Sequence, residues 1–484
     1  MKPRIFSEYG KLKKVIVHTP GAEHNQVIPW EGDHPLMGEY PRVYQQLRQN
    51  HKGLKDFLVA EAGAENVLEV ADLLRDIFEG KDYAQRQRIL SDTLFEVADT
   101  YIDHLQARGI KLEKYPATEI VRDLIEGYPR VLTLNNGRLP NVIIPPKREL
   151  MWVRDSSATT PCGVVINAMA SPRRSSEPTL LRAIFRHHPM FDRDSIFLDL
   201  VDFNRKMEQD LTSAGIDRSF LLEGGNILIL SEDTLAVGVG HAQSLYSNRT
   251  TRAAFELLVA RLLAADTEKR LRRIYLVNVP DLRGFIHLDT VFNMVGPKSA
   301  IVMPYIFGLP HPEVEESAKR LLQRFVGYLR KSMAPHQTDL SKIPGRDLFE
   351  RAGLVEVYDR DYIEKKGQIT HLPQPARYFL DQLIIDGLLD PAKITWVGGD
   401  MYDHASPYEH LRVALFEQHN MAGNVFATAP YRVVAYHRNE TSAATLLRNM
   451  QPHAADAHVE LMPSNEIRTD NGGPHCLTMP LERE

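Results

Sequence analysis

Short apolar runs recur along almost the whole 484-residue chain, most of them with a glycine or proline close behind. They are Val15–Val17, Val142–Ile144, Val164–Ile166, Ile196–Leu198, Ile227–Leu230, Leu235–Val237, Ile274–Val277, Ala300–Val302, Ile394–Val397 and Val433–Tyr436. Runs of this length read as strands, and helical spacing appears between them, as over Thr250 to Leu263. Short strands alternating with helices predict an α/β fold. The regularity extends over the full length, so 1–484 reads as a single α/β domain, a size that closed α/β folds do reach.

Two stretches break the rhythm. From Val67 to Tyr128 the pattern is helical throughout, with Leu73, Leu74 and Ile77 on one stripe and Ile120, Leu124 and Ile125 on another. Pro116 opens the last of these helices and Gly127 ends it, the usual punctuation of a helix. Residues 67–130 are therefore expected to be a helical insertion of roughly four or five helices. A second, mostly helical insertion is expected over 311–391, with helices at Val314–Leu329 and Ala376–Leu389.

Net charge is −5 with Lys and Arg dispersed, which gives nucleic acid no basic face to bind. No apolar run approaches the roughly 20 residues of a membrane helix, and Met1-Lys2-Pro3-Arg4-Ile5 carries no apolar signal core. A cytoplasmic location is expected. With only two cysteines, a disulfide framework and a multi-thiolate metal site are both excluded.

One of the two cysteines, Cys476, lies in Asn471-Gly472-Gly473-Pro474-His475-Cys476, where paired glycines let other groups approach the backbone closely. Upstream stand three acidic signatures, Arg154-Asp155, Glu223-Gly224-Gly225 and His287-Leu288-Asp289. Any one of them alone is ordinary: an Arg-Asp surface pair, a strand end, a core histidine. Cys162, in Pro161-Cys162-Gly163, reads as a buried thiol at a strand edge. Together the three signatures and Cys476 describe a thiol among carboxylates, a setting for a cationic carbon electrophile.

A guanidinium is planar, and its N–H groups match carboxylates in forked pairs. It is a poor electrophile, because resonance spreads its charge over three nitrogens. Attack on its carbon needs a soft nucleophile, carboxylates to hold the plane and an acid for the departing nitrogen. Cys476, the pair Asp155 and Asp289, and His287 supply these. His287 and Asp289, two apart in the strand-like run Gly284–Asp289, are expected on one face.

In this order and spacing the residues resemble the arginine deiminase family of the guanidine-modifying (amidinotransferase) superfamily. Further matches are Ser7-Glu8-Tyr9-Gly10-Lys11-Leu12, Thr19-Pro20-Gly21, Asn248-Arg249-Thr250-Thr251, Glu417 to Asn424, Val433 to Asn439, His287 to Phe292 and Cys476-Leu477-Thr478-Met479-Pro480. The resemblance covers nearly the whole chain. It implies a five-bladed, pseudo-symmetric propeller of ββαβ units with helical insertions. It also implies a covalent reaction. Cys476 attacks the guanidinium carbon, Asp155 and Asp289 hold its nitrogens, and His287, helped by Glu223, protonates the leaving ammonia and then activates water. No cofactor and no metal are expected. The resemblance places Arg249 and Arg173 at the substrate α-carboxylate, with the Arg173-Arg174 pair leaving the register open by one residue, and adds Trp152 to the substrate-binding set.

Three positions depart from the family pattern. Glu149 stands where an asparagine near the α-carboxylate is usual, Asn471 where many members have arginine, and Asn226 where aspartate follows Glu-Gly-Gly. Glu149 and Asn471 stay in the substrate-binding set. The expected reaction is hydrolysis of L-arginine to L-citrulline and ammonia. The alternatives are hydrolysis of another guanidine (agmatine, a methylated arginine or a guanidino acid) and amidino transfer. The inserted helices and the family likeness also imply a homo-oligomer, a dimer or tetramer.

Overall fold

The computed structural model describes residues 1–26, 44–129, 142–214, 220–240, 248–280, 284–304, 353–373 and 377–484. Its recurring unit is a strand hairpin, then a helix, then a third strand parallel to the second. Strands Ser157–Thr160 and Gly163–Ile166 pair antiparallel, helix Glu177–His187 follows, and Ile196–Asp199 pairs parallel with Gly163–Ile166. The pattern returns in Ile227–Ser231, Thr234–Val239, helix Arg252–Ala265 and strand Arg273–Asn278. It returns again in Phe426–Ala429, Arg432–Tyr436, helix Glu440–Met450 and strand His458–Met462. A parallel neighbour cannot be reached by a tight turn, which is why a helical crossover separates the second and third strands each time.

In a fourth unit the hairpin Phe292–Gly296 and Ser299–Val302 is joined, after a longer excursion, by the parallel strand Ile394–Trp396. The fifth draws on both ends of the chain. Leu12–Val17 pairs parallel with Val67–Glu69 across helix Tyr44–Ala62, and Met479–Arg483 lies on its other edge. Leu354–Asp359 and Arg377–Tyr378 widen the sheet of Ile227–Ser231 to five strands. Among the described residues the fold is thus mixed α/β, with five small sheets built on the ββαβ unit. Strands such as Gly163–Ile166 and Thr234–Val239 are buried at every position, as their unbroken apolar runs require.

The chain forms two compact units. The first comprises residues 1–4, 13–219 and 477–482, and the second 5–12, 220–476 and 483–484. In the first, the stretch expected to be helical opens with the strand Val67–Glu69. It continues as four helices, Val70–Phe78, Tyr83–Leu94, Val97–Ala107 and Ala117–Glu126. Asp82 and Gln85 form a reciprocal capping box at the start of the second. Pro116 and Gly127 (φ 92°) bound the fourth. Both apolar stripes read from the sequence are buried, packing with Leu180 and Ile184 of the neighbouring crossover helix in one core.

Some expectations change. Val142–Ile144 forms only a single bridge between Tyr128 and Ile144, because Pro145 and Pro146 follow and offer no N–H to a ladder. The helix at Thr250–Leu263 begins instead at Arg252, with Thr251 as its cap accepting from the Ala254 N–H. Val314–Leu329 lies outside the described residues, and the helix read from Ala376 is Phe379–Ile385 after the short strand Arg377–Tyr378. No helix among the described residues is long and apolar enough to cross a membrane.

Candidate active site

In the second unit Cys476 is buried at the end of the Gly-Gly loop, its Sγ 3.6 Å from Asp289 Oδ2. The loop is held from both sides. The Tyr436 hydroxyl donates to Gly472 O (3.0 Å), and the N–H groups of His475 and Cys476 both donate to Asn424 Oδ1 (3.1 and 3.2 Å). Gly473 is needed for this approach: a Cβ there would lie 2.6 Å from Asn424 Oδ1 and 2.8 Å from its backbone oxygen. Burial, with the thiol beside it, pushes the Tyr436 phenol well above its ordinary range, so it stays a donor.

His287 and Asp289 do not lie on a strand, as the sequence pattern implied. Leu288–Thr290 is a 3-10 turn, with His287 as the extended residue before it. Asn226 shapes this turn. Its Oδ1 accepts from the Leu288 N–H (2.9 Å), and its Nδ2 donates to Thr250 Oγ1 (2.9 Å). Asparagine supplies the acceptor and the donor at once, a physical reason for the departure from aspartate. The turn still brings His287 and Asp289 to one place. A Cβ on Gly225 would stand 2.6 Å from His287 Nδ1 and 3.0 Å from Asp289 Oδ1. His287 Nε2 meets Glu223 Oε2 at 2.7 Å, both side chains fully buried. Arg249 Nη1 lies 3.4 Å from each Glu223 oxygen. The arginine read as a carboxylate clamp therefore also touches the acid behind His287.

His475, a partner of Asp289, and Glu8 behind it carry no role in the sequence reading. His475 Nδ1 meets Asp289 Oδ2 at 2.8 Å, and His475 Nε2 meets Glu8 Oε2 at 3.1 Å. Glu8 Oε1 in turn accepts from the Ile229 N–H at 2.9 Å. The result is a buried line from Ile229 through Glu8, His475 and Asp289 to the Cys476 thiol. Glu8 lies inside the matched run Ser7–Leu12 and His475 in the loop before Cys476, and no local signal marks the role of either. Asp289 Oδ1 is buried and takes no hydrogen bond among the described residues, an acceptor that costs free energy until a donor reaches it. Asn471 is buried with φ 60°, a left-handed conformation that asparagine adopts more readily than arginine.

In the first unit, Asp155 lies in the short helix Val153–Ser156. Arg174 holds it: Nη1 donates to Asp155 Oδ2 (2.7 Å), Nε to Glu177 Oε2 (2.9 Å) and Nη2 to the Trp152 carbonyl (3.2 Å). Of the Arg173-Arg174 pair, Arg174 is thus the buried structural partner and Arg173 the more exposed. Burial pushes the Glu177 carboxyl up to about 7 against the pull of Arg174, and pushes Lys147 down to about 8. Trp152 is buried, and the Glu149 carbonyl accepts from the Trp152 N–H at 2.9 Å. Cys162 is buried in the hairpin turn after Thr160, as read.

Comparison with known proteins points the same way. The chain is 26% identical to the arginine deiminase of Listeria monocytogenes over 495 residues, covering 99% of this chain and 97% of that one. It is 28% identical to the arginine deiminase of Clostridium perfringens over 491 residues, covering 99% and 98%. Among solved structures, a DDAH from Pseudomonas aeruginosa aligns with 97% of this chain and 99% of its own at 10% identity and a TM-score of 0.43. The N-terminal domain of ArgZ, a cyanobacterial arginine dihydrolase, aligns with 97% of each chain at 11% identity and a TM-score of 0.45. The sequence profile described as arginine deiminase matches residues 36–320 and 409–483. A match over most of the chain, carrying the cysteine loop with it, makes this protein a member of the arginine deiminase family, hydrolases of amidine carbon–nitrogen bonds.

Proposed function

We propose that the chain hydrolyses L-arginine to L-citrulline and ammonia through a covalent thiouronium on Cys476. The observation that carries the reading is the contact of Cys476 Sγ with Asp289, next to the buried His287–Glu223 pair. The Cys476 sulfur adds to the guanidinium carbon while Asp289 Oδ1, buried and still open, accepts an N–H of the substrate. His287 gives its proton to the departing nitrogen, which leaves as ammonia, and Glu223 supports the imidazole. His287 then takes a proton from water as the water oxygen bonds to the same carbon. The C–S bond breaks, releasing the ureido product and the thiolate. The sequence resemblance gives Asp155 the same clamping task as Asp289, and Arg173, Arg249, Trp152, Glu149 and Asn471 the binding of the rest of the substrate.

Cys476→Ser is expected to abolish turnover while still binding arginine, and intact mass during wild-type turnover should show an adduct on Cys476. Substantial turnover by Cys476→Ser would refute the mechanism. Ammonia and ureido product measured over arginine, agmatine, a methylated arginine and a guanidino acid tests the substrate, with arginine expected to be fastest. In the same panel Arg249→Ala should lose rate on both substrates, because Arg249 touches Glu223, and far more on arginine, because agmatine has no carboxylate for it to hold. Arg173→Ala should penalise arginine alone, since agmatine has no carboxylate.

The protein is further proposed to act in the cytoplasm as a homo-oligomer. The inserted helices bury their own apolar stripes, so they demand no partner. Support comes instead from the second unit, where Tyr402, Tyr408 and Phe416 are 72%, 60% and 63% exposed on and beside helix Pro407–His419.

A further inference from the structure

Asn424 lies at the end of a tight, well-anchored turn. Its N–H donates to Met421 O (3.1 Å), Met421 has φ 60°, and Gln418 Nε2 bonds the carbonyls of Gly284 and Thr290 beneath it. A side chain on such a base has little freedom. All of its polar atoms are engaged: Oδ1 accepts two successive N–H groups, those of His475 and Cys476, and Nδ2 donates to the Asp289 carbonyl (3.0 Å). Gly473, whose missing Cβ leaves the space, lets the loop close onto this amide.

We propose that Asn424 is the positioning residue of the nucleophile, its carboxamide tying the backbone of Cys476 to that of Asp289 and so setting sulfur against the clamp carboxylate. The proposal rests on the reading of Cys476 as nucleophile. The chemistry of the side chain is specific. Only an amide accepts at one end and donates at the other at this length; glutamine is one methylene longer, and aspartate would set a carboxylate against the Asp289 carbonyl. Asp289 has a second tether, because Asn293 Nδ2 donates to the Asp289 carbonyl and to Gly423 O (2.7 Å). On the Cys476 loop the His475 N–H also reaches the Asn424 backbone carbonyl (3.5 Å), while the closer hold on both N–H groups is the Asn424 side-chain oxygen. Loss of Asn424 should therefore displace the sulfur more than the clamp.

The test measures steady-state kinetics on arginine, together with the pH dependence of Cys476 alkylation by iodoacetamide in a Cys162→Ala background. For Asn424→Ala, kcat should fall by about a hundredfold, the order that a 1 Å misplacement of reacting groups costs. KM should stay within about threefold, as for an interaction expressed in the transition state alone. The far-UV spectrum should be unchanged. Asn424→Asp keeps the shape and the acceptor but adds a negative charge beside the thiol. Its alkylation midpoint should move to higher pH, and its kcat should recover partly as pH rises, which a purely structural role would not produce. If Asn424→Ala fails to fold, the Asp variant decides alone. A kcat within threefold of wild type in the soluble variant, or a loss confined to KM, overturns the proposal. Turnover by Cys476→Ser in the same assay would instead refute the nucleophile reading, whereas an inactive Cys476→Ser beside a normal Asn424→Ala sinks only the positioning role.

Discussion

Gly225 shows how little room separates the reacting groups. Its hydrogen faces both His287 Nδ1 and Asp289 Oδ1, and a methyl there would come within 2.6 Å of the first and 3.0 Å of the second. Gly225→Ala should therefore lower kcat by about a hundredfold through displaced side chains, with melting temperature little altered. Paired kinetic and calorimetric measurements check this, and a fully active Ala variant would show that the imidazole and carboxylate need not meet there. The catalytic candidates were legible in the sequence because their chemistry is unusual: a lone thiol after two glycines and three acidic motifs. The groups that hold them were not. Glu8, His475, Asn424 and Arg174 are ordinary residue types whose work depends on partners as far as 467 positions away. Local spacing carries no trace of such contacts.

Among elements, the alternation of strand and helix was the most legible feature, since apolar strands and amphipathic crossovers have distinct periods, whereas the ββαβ order itself came from the family resemblance. Turns imposed from a distance were the least. Gly284–Asp289 looked like strand because Phe285, Ile286 and Leu288 are apolar, and Leu288–Thr290 is a turn because Asn226, 62 positions earlier, takes the Leu288 N–H. The inserted helices show the same dependence. Helix Tyr83–Leu94 is fastened to crossover helix Glu177–His187 through Asp92, which receives Arg182 Nη1 (2.9 Å), Arg186 Nη1 (2.9 Å) and His187 Nε2 (3.0 Å). Arg182 continues to Asp199 and Asp202. Burial works to raise the Asp92 carboxyl, but the His187 hydrogen bond and the two guanidinium charges draw it from 3.8 to about 2. A folded-state value below the unfolded one gives stability that is complete above the unfolded value and lost as pH falls through the folded one. Asp92→Asn should thus cost about 2 kcal/mol near neutral pH, and the gap to wild type should shrink to a few tenths near pH 2. Denaturant unfolding across that range is the measurement, and a gap independent of pH would remove the ion pairs from the account.

At the scale of the whole molecule, self-association is the prediction still to be measured. Light scattering at micromolar concentration should give at least a dimer, and Phe416→Glu, which sets a charge on the exposed apolar face, should shift it toward monomer. A clean wild-type monomer would end the proposal. Nothing in the sequence marks this surface, and only their exposure sets Tyr402, Tyr408 and Phe416 apart.

The strand Leu12–Val17 has Val67–Glu69 on one edge and Met479–Arg483 on the other. Arg4 N donates to Leu481 O, and Glu484 N to Lys11 O, so the two ends are stitched at several points. On the ribosome these partners are made more than four hundred residues apart. The second neighbour of Leu12–Val17 emerges only after more than four hundred further residues have been added. Until then an apolar strand keeps an unpaired edge, the kind of edge that invites pairing between chains. The same late segment delivers Cys476, three residues before that final strand. A chain that stops short of this segment thus lacks both the second partner of Leu12–Val17 and the thiol proposed to react, so the sheet edge and the candidate site are completed together.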